Sequence, residues 1–199
     1  MKTFIQIFFI STLFFSTFIC KAQDVHFSQF YNMPLLINPA MTGDFNAKAR
    51  FIMNYKNQWR SVSANPYNTI AFTADGILKK KKFGVGLIFI SDNSGSARIR
   101  SNQIYLSASA KAHVDKNNYV TYGLQAGWAQ HSNDLSKLTW NSQYDGQIIN
   151  PTLESGEDFY RSFNYFDISN GLHWKHLFED KTESNIGVSA YHVTRPEFG

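Results

Sequence analysis

A two-residue period runs through most of this chain, and it restricts the fold more than any other feature of the sequence. In residues 47–59 the odd positions are mostly apolar or aromatic, and the even positions are mostly charged or polar. Such alternation is typical of a strand whose two faces meet unlike surroundings. The period recurs in six further segments, so the sequence predicts seven strands: residues 47–59, 68–78, 82–91, 98–112, 119–130, 166–178 and 184–193.

The predicted strands are longer than those of ordinary soluble proteins. They span about ten to fifteen residues, whereas soluble strands average about 5–6 residues and a tilted strand that crosses a bilayer needs about 9–11. Their polar faces carry small hydrophilic residues, as a barrel lumen would, and their apolar faces carry aromatics near the ends, as a lipid-facing surface would. These features predict an all-β fold, an antiparallel transmembrane β-barrel of the outer membrane. A soluble, exported antiparallel β-protein is the alternative.

Short and long connections alternate along the chain. Those after the second, fourth and sixth strands are short and charged, as in the lysine run 79–82, whereas the connection 131–164 is the longest. Outer-membrane barrels have short periplasmic turns and longer external loops. The pattern therefore predicts that the N-terminus lies on the periplasmic side.

The first 22 residues predict a secretory signal peptide. Lys2 precedes the apolar run 4–19, and Cys20 and Ala22 supply small residues before a cleavage site. The mature chain would contain no cysteine, which excludes a disulfide framework. Because two of the 19 Lys and Arg residues fall in the signal, the mature chain has 17 basic and 15 acidic residues, a net charge of +2. This near balance argues against a nucleic-acid partner, and no later apolar run reaches the ~18 residues of a transmembrane helix.

The number of predicted strands is odd. Single-chain bacterial barrels have even counts, and an open sheet edge in lipid leaves backbone groups unpaired at a cost of several kcal/mol each. We therefore expect the seven strands to form an incomplete barrel in a chain that is truncated at its C-terminus. The expected organisation is a signal peptide (1–22), an N-terminal periplasmic or plug segment (23–46) and a partial barrel (47–199).

The segment before the first strand has no helical or strand period, but it carries a long ordered series of residues. It reads QDVHFSQFYNMPLLINPAMTG and is followed by ARFIMNYKNQW. This combination resembles the PorP/SprF family of Bacteroidetes outer-membrane proteins. Three later stretches are similar to the same family: YNTIAFTADG, GVGLIF and GVSAYHVTRP.

The resemblance implies a β-barrel that serves the type IX secretion system and the gliding motility linked to it. It implies no enzymatic activity and no cofactor, but an accessory role in the export or surface attachment of cargo such as adhesins. The implied partners are outer-membrane lipid, secretion-system proteins, periplasmic proteins linked to peptidoglycan, and the secreted cargo. Family members are usually longer than this chain, which agrees with the expected truncation. A passive outer-membrane channel for solutes is the alternative function.

The aromatic, proline-containing segment 24–43 is the first candidate site. Aromatic side chains dominate interface hot spots, and Pro34 and Pro39 are expected to hold the backbone extended without a regular ladder. The segment either docks a partner or occludes the barrel, or its aromatics simply fill space in the lower barrel. The residues predicted to bind a partner here are His26, Phe27, Phe30, Tyr31, Asn38 and Pro39.

The loop 131–164 is the second candidate site. It carries Trp140 and Tyr144 among acidic residues, and long loops bear function more often than short ones. We predict that these two aromatics contact secreted cargo at the cell surface. The alternative is a loop that folds over the barrel mouth without a partner.

No metal site or catalytic centre is predicted. His173 and His176 are three residues apart on a strand, so their side chains point to opposite faces and cannot share an ion. The acidic residues of 154–158 lack the spacing of an EF-hand. The chain also has no G-x-S-x-G or H-E-x-x-H motif.

Overall fold

The computed structural model of this protein describes residues 25, 27–63, 65–78, 82–95, 99–135, 138–150, 152–156, 160–179 and 182–195. The predicted signal peptide, most of the lysine run and His26 lie outside these ranges. The helices within the described ranges are all too short or too polar to traverse a bilayer. The strands are β1 (Ala49–Gln58), β2 (Tyr67–Leu78), β3 (Phe83–Ser94), β4 (Ile99–His113), β5 (Asn118–Asp134), β6 (Tyr160–Leu177) and β7 (Glu183–Ala190).

The seven strands form one antiparallel sheet in which each strand pairs with the next, in the order β1 to β7. The sheet curls into a half-barrel. The predicted all-β, seven-stranded, incomplete antiparallel barrel is therefore confirmed. A one-residue slip in pairing would exchange the two faces of a strand, so the alternating pattern also fixes the register.

The outer face of the sheet is apolar and exposed, and the inner face is buried and largely polar, with a small apolar core. On β4, Ile104 and Leu106 are exposed, whereas Ser107 and Ser109 on the opposite face are buried. A soluble protein has the reverse arrangement. This polarity is the one that a barrel wall needs in lipid.

On β3 to β6 the apolar outer face ends at one row of residues. One row of directly paired outward residues is apolar: Phe89, Ile104, Trp128 and Phe166. The next outward row toward the long loops is polar: Ser91, Asn102, Gln130 and Asn164. On β5 the apolar face runs from Val120 to Trp128, which is about 26 Å along the strand at ~3.3 Å per residue. This length is close to the ~25 Å apolar band of an outer-membrane barrel.

Among the strands that exceed the prediction, β5 and β6 exceed it most. β5 continues to Asp134 and β6 begins at Tyr160, so the predicted connection 131–164 is a loop over residues 135–159. Beyond Trp128 the outward positions of β5 are polar, and the inward positions after Ala129 are polar as well. The hydrophobic alternation therefore stops there, although the backbone pairing continues.

The last strand is shorter than predicted. β7 ends at Ala190, and His192 has a positive φ of 53°. The chain then pairs again, because the Val193 N–H donates to the Ile168 carbonyl at 2.9 Å. Tyr191 and His192 thus interrupt the hydrogen-bond ladder, although the alternating pattern predicts a continuous strand over residues 184–193.

The buried apolar core lies on the inner face, between the sheet and the N-terminal segment. Phe27, Met33 and Leu35 supply it from the segment. The sheet supplies Ala71, Ile88, Ile90 and Tyr105 from β2, β3 and β4. The N-terminal segment therefore packs against the inner face of the half-barrel.

Candidate functional site

Residues 27–44 cover the inner face of the sheet, and we call them the plug. They form a 3-10 turn (Phe30–Asn32), a single turn of α-helix, α1 (Pro34–Ile37), and a second 3-10 turn (Pro39–Met41). The expectation that the two prolines keep the backbone extended was wrong. Each proline stands at the first position of a turn, where its fixed φ suits a helix and its missing N–H costs nothing.

Asn38 is the most heavily bonded side chain of the plug. Its Nδ2 donates to the Leu172 carbonyl of β6 at 3.1 Å and to the Val188 carbonyl of β7 at 3.3 Å. Its Oδ1 accepts from the Ala40 N–H at 2.8 Å, which caps the second 3-10 turn. One buried carboxamide thus links the plug to two adjacent strands.

The plug lies along inward-facing glycines of the sheet. A Cβ on Gly123 would collide with the backbone of Pro39 and Ala40, and a Cβ on Gly171 would collide with the Asn38 carboxamide. Close backbone approach of this kind requires residues without side chains. We call the set the glycine track: Gly84, Gly86, Gly123, Gly171 and Gly187.

Small hydroxyl side chains of the sheet bond the carbonyls of the plug. Ser109 Oγ donates to the Thr42 carbonyl at 2.6 Å, and Ser189 Oγ donates to the Ile37 carbonyl at 2.9 Å. The hydroxyls of Thr42 and Ser107 also lie 2.6 Å apart. Plug carbonyls that no regular ladder satisfies are thereby paired, as buried polar groups must be.

A first ion pair fixes the exit of the plug toward β1. Arg50 donates to both carboxylate oxygens of Asp75, at 2.9 Å from Nε and 2.8 Å from Nη2. The Gly43 N–H donates to the same carboxylate at 2.8 Å. Bidentate pairs of this kind have a defined geometry, so the last turn of the plug is held against β1 and β2.

A second ion cluster holds Asp44. Its carboxylate lies 2.5 Å from Lys111 Nζ and 3.4 Å from Lys175 Nζ, with His173 Nδ1 at 3.9 Å. Burial alone would raise the pKa of Asp44. The hydrogen bond from Lys111 and the charges of Lys111 and Lys175 outweigh burial, so the pKa of Asp44 falls below its ordinary value of 3.8. The carboxylate is therefore ionised at neutral pH.

The predicted plug residues fall into two groups. Phe27, Asn38 and Pro39 are buried against the sheet. Phe30 and Tyr31 are each 61% exposed and meet edge to face at 5.8 Å. The first group belongs to the seat of the plug, and the second forms an exposed aromatic tip.

A small cavity lies beside the plug on the inner face of the sheet. This cavity has a volume of ≈ 80 Å³ and a lining that includes Leu36, Ile90, Gln103 and Gln125. A cavity of this size has room for a few water molecules but not for a metabolite.

The long loop folds into a small ordered lobe, which we define as residues 138–150 and 152–156. Tyr144 and Ile149 form an isolated β-bridge, and the Gln143 side chain donates to the Leu153 carbonyl at 3.2 Å. Of the two predicted residues, Trp140 is half-buried and Tyr144 is 51% exposed. The structure therefore places only Tyr144 openly on the surface of the lobe.

The two histidines that invited a metal interpretation face opposite ways, as the strand geometry requires. His173 is buried in the Asp44 cluster. His176 lies beside the rings of Trp174 and Phe178. Within the described ranges, no three His, Cys, Asp or Glu side chains are arranged to hold a metal ion.

Sequence reasoning missed the glycine track and both ion pairs. One available signal was the position of the glycines, which repeatedly occupy the polar face of the predicted strands. Another was the presence of Asp75, Lys111 and Lys175 among the small residues of that face. A charged side chain in a packed lumen needs a partner, and the plug and its neighbour β1 supply those partners.

Searches of curated proteins and of solved structures returned no match. A family model does match, over residues 19–199, and the match spans the plug and all seven strands. The chain therefore belongs to the PorP/SprF family of type IX secretion system membrane proteins.

Proposed function

We propose that this protein is a plugged, non-catalytic accessory barrel of the outer membrane. In this role it supports the export or surface attachment of type IX cargo such as adhesins, serves gliding motility, and links to periplasmic partners. Membership of the family supports a secretion-system role in a membrane. The observation that supports an accessory role over a solute channel is the plug, which occupies the inner face of the sheet.

The exposed tip of the plug is the part that we propose to bind a secretion-system partner. Phe30 and Tyr31 present two rings without any ladder around them, and aromatic residues are frequent anchors in interfaces. The buried seat holds the same segment in place, which limits the entropy that binding would cost. Phe27, Asn38 and Pro39 then act by positioning the tip, and His26 precedes it in the sequence.

The test replaces the tip and leaves the seat intact. A Phe30→Ala/Tyr31→Ala variant should insert normally, judged by heat-modifiable migration in outer-membrane fractions, and should lose cargo export. The matched control is Gln29→Ala/Asn32→Ala, because these two side chains lie at the same turn and bond each other at 2.8 Å. Normal export by the aromatic variant would refute the proposed role of the tip.

Conductance separates the accessory role from the passive channel. The full chain in planar bilayers should show no stable single-channel current, because the plug occupies the inner face. Steady conductance by the intact protein would favour the solute channel instead.

A further inference from the structure

The lobe buries two polar side chains and leaves four large apolar side chains exposed. Gln143 and Ser155 are buried, whereas Tyr144, Ile148, Ile149 and Leu153 are 40–65% exposed. Hydrogen bonds within the lobe hold this arrangement, such as Ser142 Oγ to the Ser155 carbonyl at 2.9 Å. A cluster of exposed apolar side chains on an ordered segment marks a contact surface.

The strands that lead to this surface extend beyond the apolar band. β5 extends six residues beyond Trp128, the last apolar outward residue of that strand, to Asp134. At ~3.3 Å per residue this is about 20 Å of strand beyond the apolar band. The outward positions of this extension pair Gln130 with Asn164 and Ser132 with Ser162. The hairpin formed by these extensions of β5 and β6, which is polar on its outward face, thus places the lobe beyond the apolar band.

The charge of the lobe argues against contact between two copies. The lobe contains two acidic residues, Asp145 and Glu154, and no Lys, Arg or His. Two copies meeting through this surface would bring like charges together, which is unfavourable. An anionic lipid surface would be repelled for the same reason.

We propose that the lobe is a docking surface for a polypeptide that presents apolar side chains within a basic surround. The apolar contact would be made by Tyr144, Ile148, Ile149 and Leu153. Asp145 and Glu154 would steer basic residues of the partner toward them. This inference does not depend on the role of the plug, because it concerns the opposite end of β5 and β6 from the Asp44 cluster.

The test uses the full chain in lipid nanodiscs and two synthetic amphipathic helical peptides of equal length. One peptide carries leucine and lysine, and the other carries leucine and glutamate. Fluorescence anisotropy should show at least tenfold tighter binding of the lysine peptide at low salt. An Ile148→Ser/Ile149→Ser variant should lose at least tenfold of that affinity. Glu154→Gln should weaken binding two- to threefold and reduce its salt dependence.

Val62→Ser is the matched control, because Val62 is 73% exposed on the β1–β2 connection at the same end of the sheet. It should bind like the unaltered protein. Equal binding of the two peptides, or full binding by the Ile148→Ser/Ile149→Ser variant, would overturn the proposal. So would dimerisation in sedimentation that this variant abolishes, or binding to anionic vesicles that equals binding to the lysine peptide.

Discussion

Replacing Asn38 with alanine should release the plug without unfolding the sheet. The carboxamide makes three hydrogen bonds: one buried bond from the Ala40 N–H and two part-buried bonds to strand carbonyls. A neutral buried hydrogen bond contributes about 1 kcal/mol net, so the three together stabilise the seat by about 3 kcal/mol. At 1.4 kcal/mol per factor of ten, the population of released plug should rise about 100-fold.

Hydrogen–deuterium exchange of the mature protein in nanodiscs measures this release directly. The amides of residue 38 and of residues 40–42 should exchange about 100-fold faster in Asn38→Ala, because opening of the plug exposes them together. Strand amides of β3 to β6 should keep their protection. Asn32→Ala is the matched control, since its side chain bonds the exposed Gln29 and, among the described residues, no strand. Equal plug exchange in Asn38→Ala and Asn32→Ala would refute the assignment of Asn38 as the main link.

A second substitution at the same position separates the donor from the acceptor. Asn38→Asp keeps an oxygen for the Ala40 N–H but has no donor for the carbonyls of Leu172 and Val188. The carboxylate would face two carbonyl oxygens, so plug release should be at least as large as in Asn38→Ala. Protection equal to that of the unaltered protein would show that the strand carbonyls do not need this donor.

Three further predictions concern the track, the ion cluster and the outer face. Gly123→Ala should lower the free energy of unfolding by about 1–3 kcal/mol through overpacking against the plug, measured by urea unfolding in micelles. Gly76→Ala is the control, because a Cβ there meets the Lys48 carbonyl at an ordinary 3.4 Å. Equal stability of the two variants would contradict the close approach of the plug to the glycine track. Folding lowers the pKa of Asp44, so its contribution to plug protection should be fully present above the ordinary pKa of 3.8 and lost as the pH falls through the lower folded value. In hydrogen–deuterium exchange, Asp44→Asn should weaken the protection of the plug at pH 7. The protection that remains in this variant should depend less on acid pH. Leu106→Arg should cost about 2–4 kcal/mol in bilayers, since Leu106 is 69% exposed in the apolar band; no loss of insertion would argue against a lipid-facing surface there.

The strands and their faces were predictable because the two sides of the sheet meet different surroundings. Because of that difference, apolar residues such as Ile104 alternate with polar residues such as Ser107. This two-residue period predicts both where a strand lies and which face each side chain occupies. The same signal failed beyond Trp128, where both faces of β5 are polar and the ladder continues without it. The two-residue period therefore predicts the apolar, lipid-facing part of the strand but not its full length.

The seat of the plug was beyond sequence reasoning for a different reason. A glycine such as Gly123 indicates that no side chain fits at that position, but it does not identify the group that packs against it. The partners of Asp44 lie on β4 and β6, and no local pattern connects them to it. The segment 27–44 has no period of its own because its conformation is set by the groove in which it lies.

The bonds of Asn38 have a consequence for the order in which the protein is built. Its carboxamide binds carbonyls 134 and 150 residues later in the chain. The plug is synthesised before every strand, yet its seat is complete only when β6 and β7 have paired. Sealing of the interior is therefore a late event in assembly, and a protected plug reports that the final strands described here are in register.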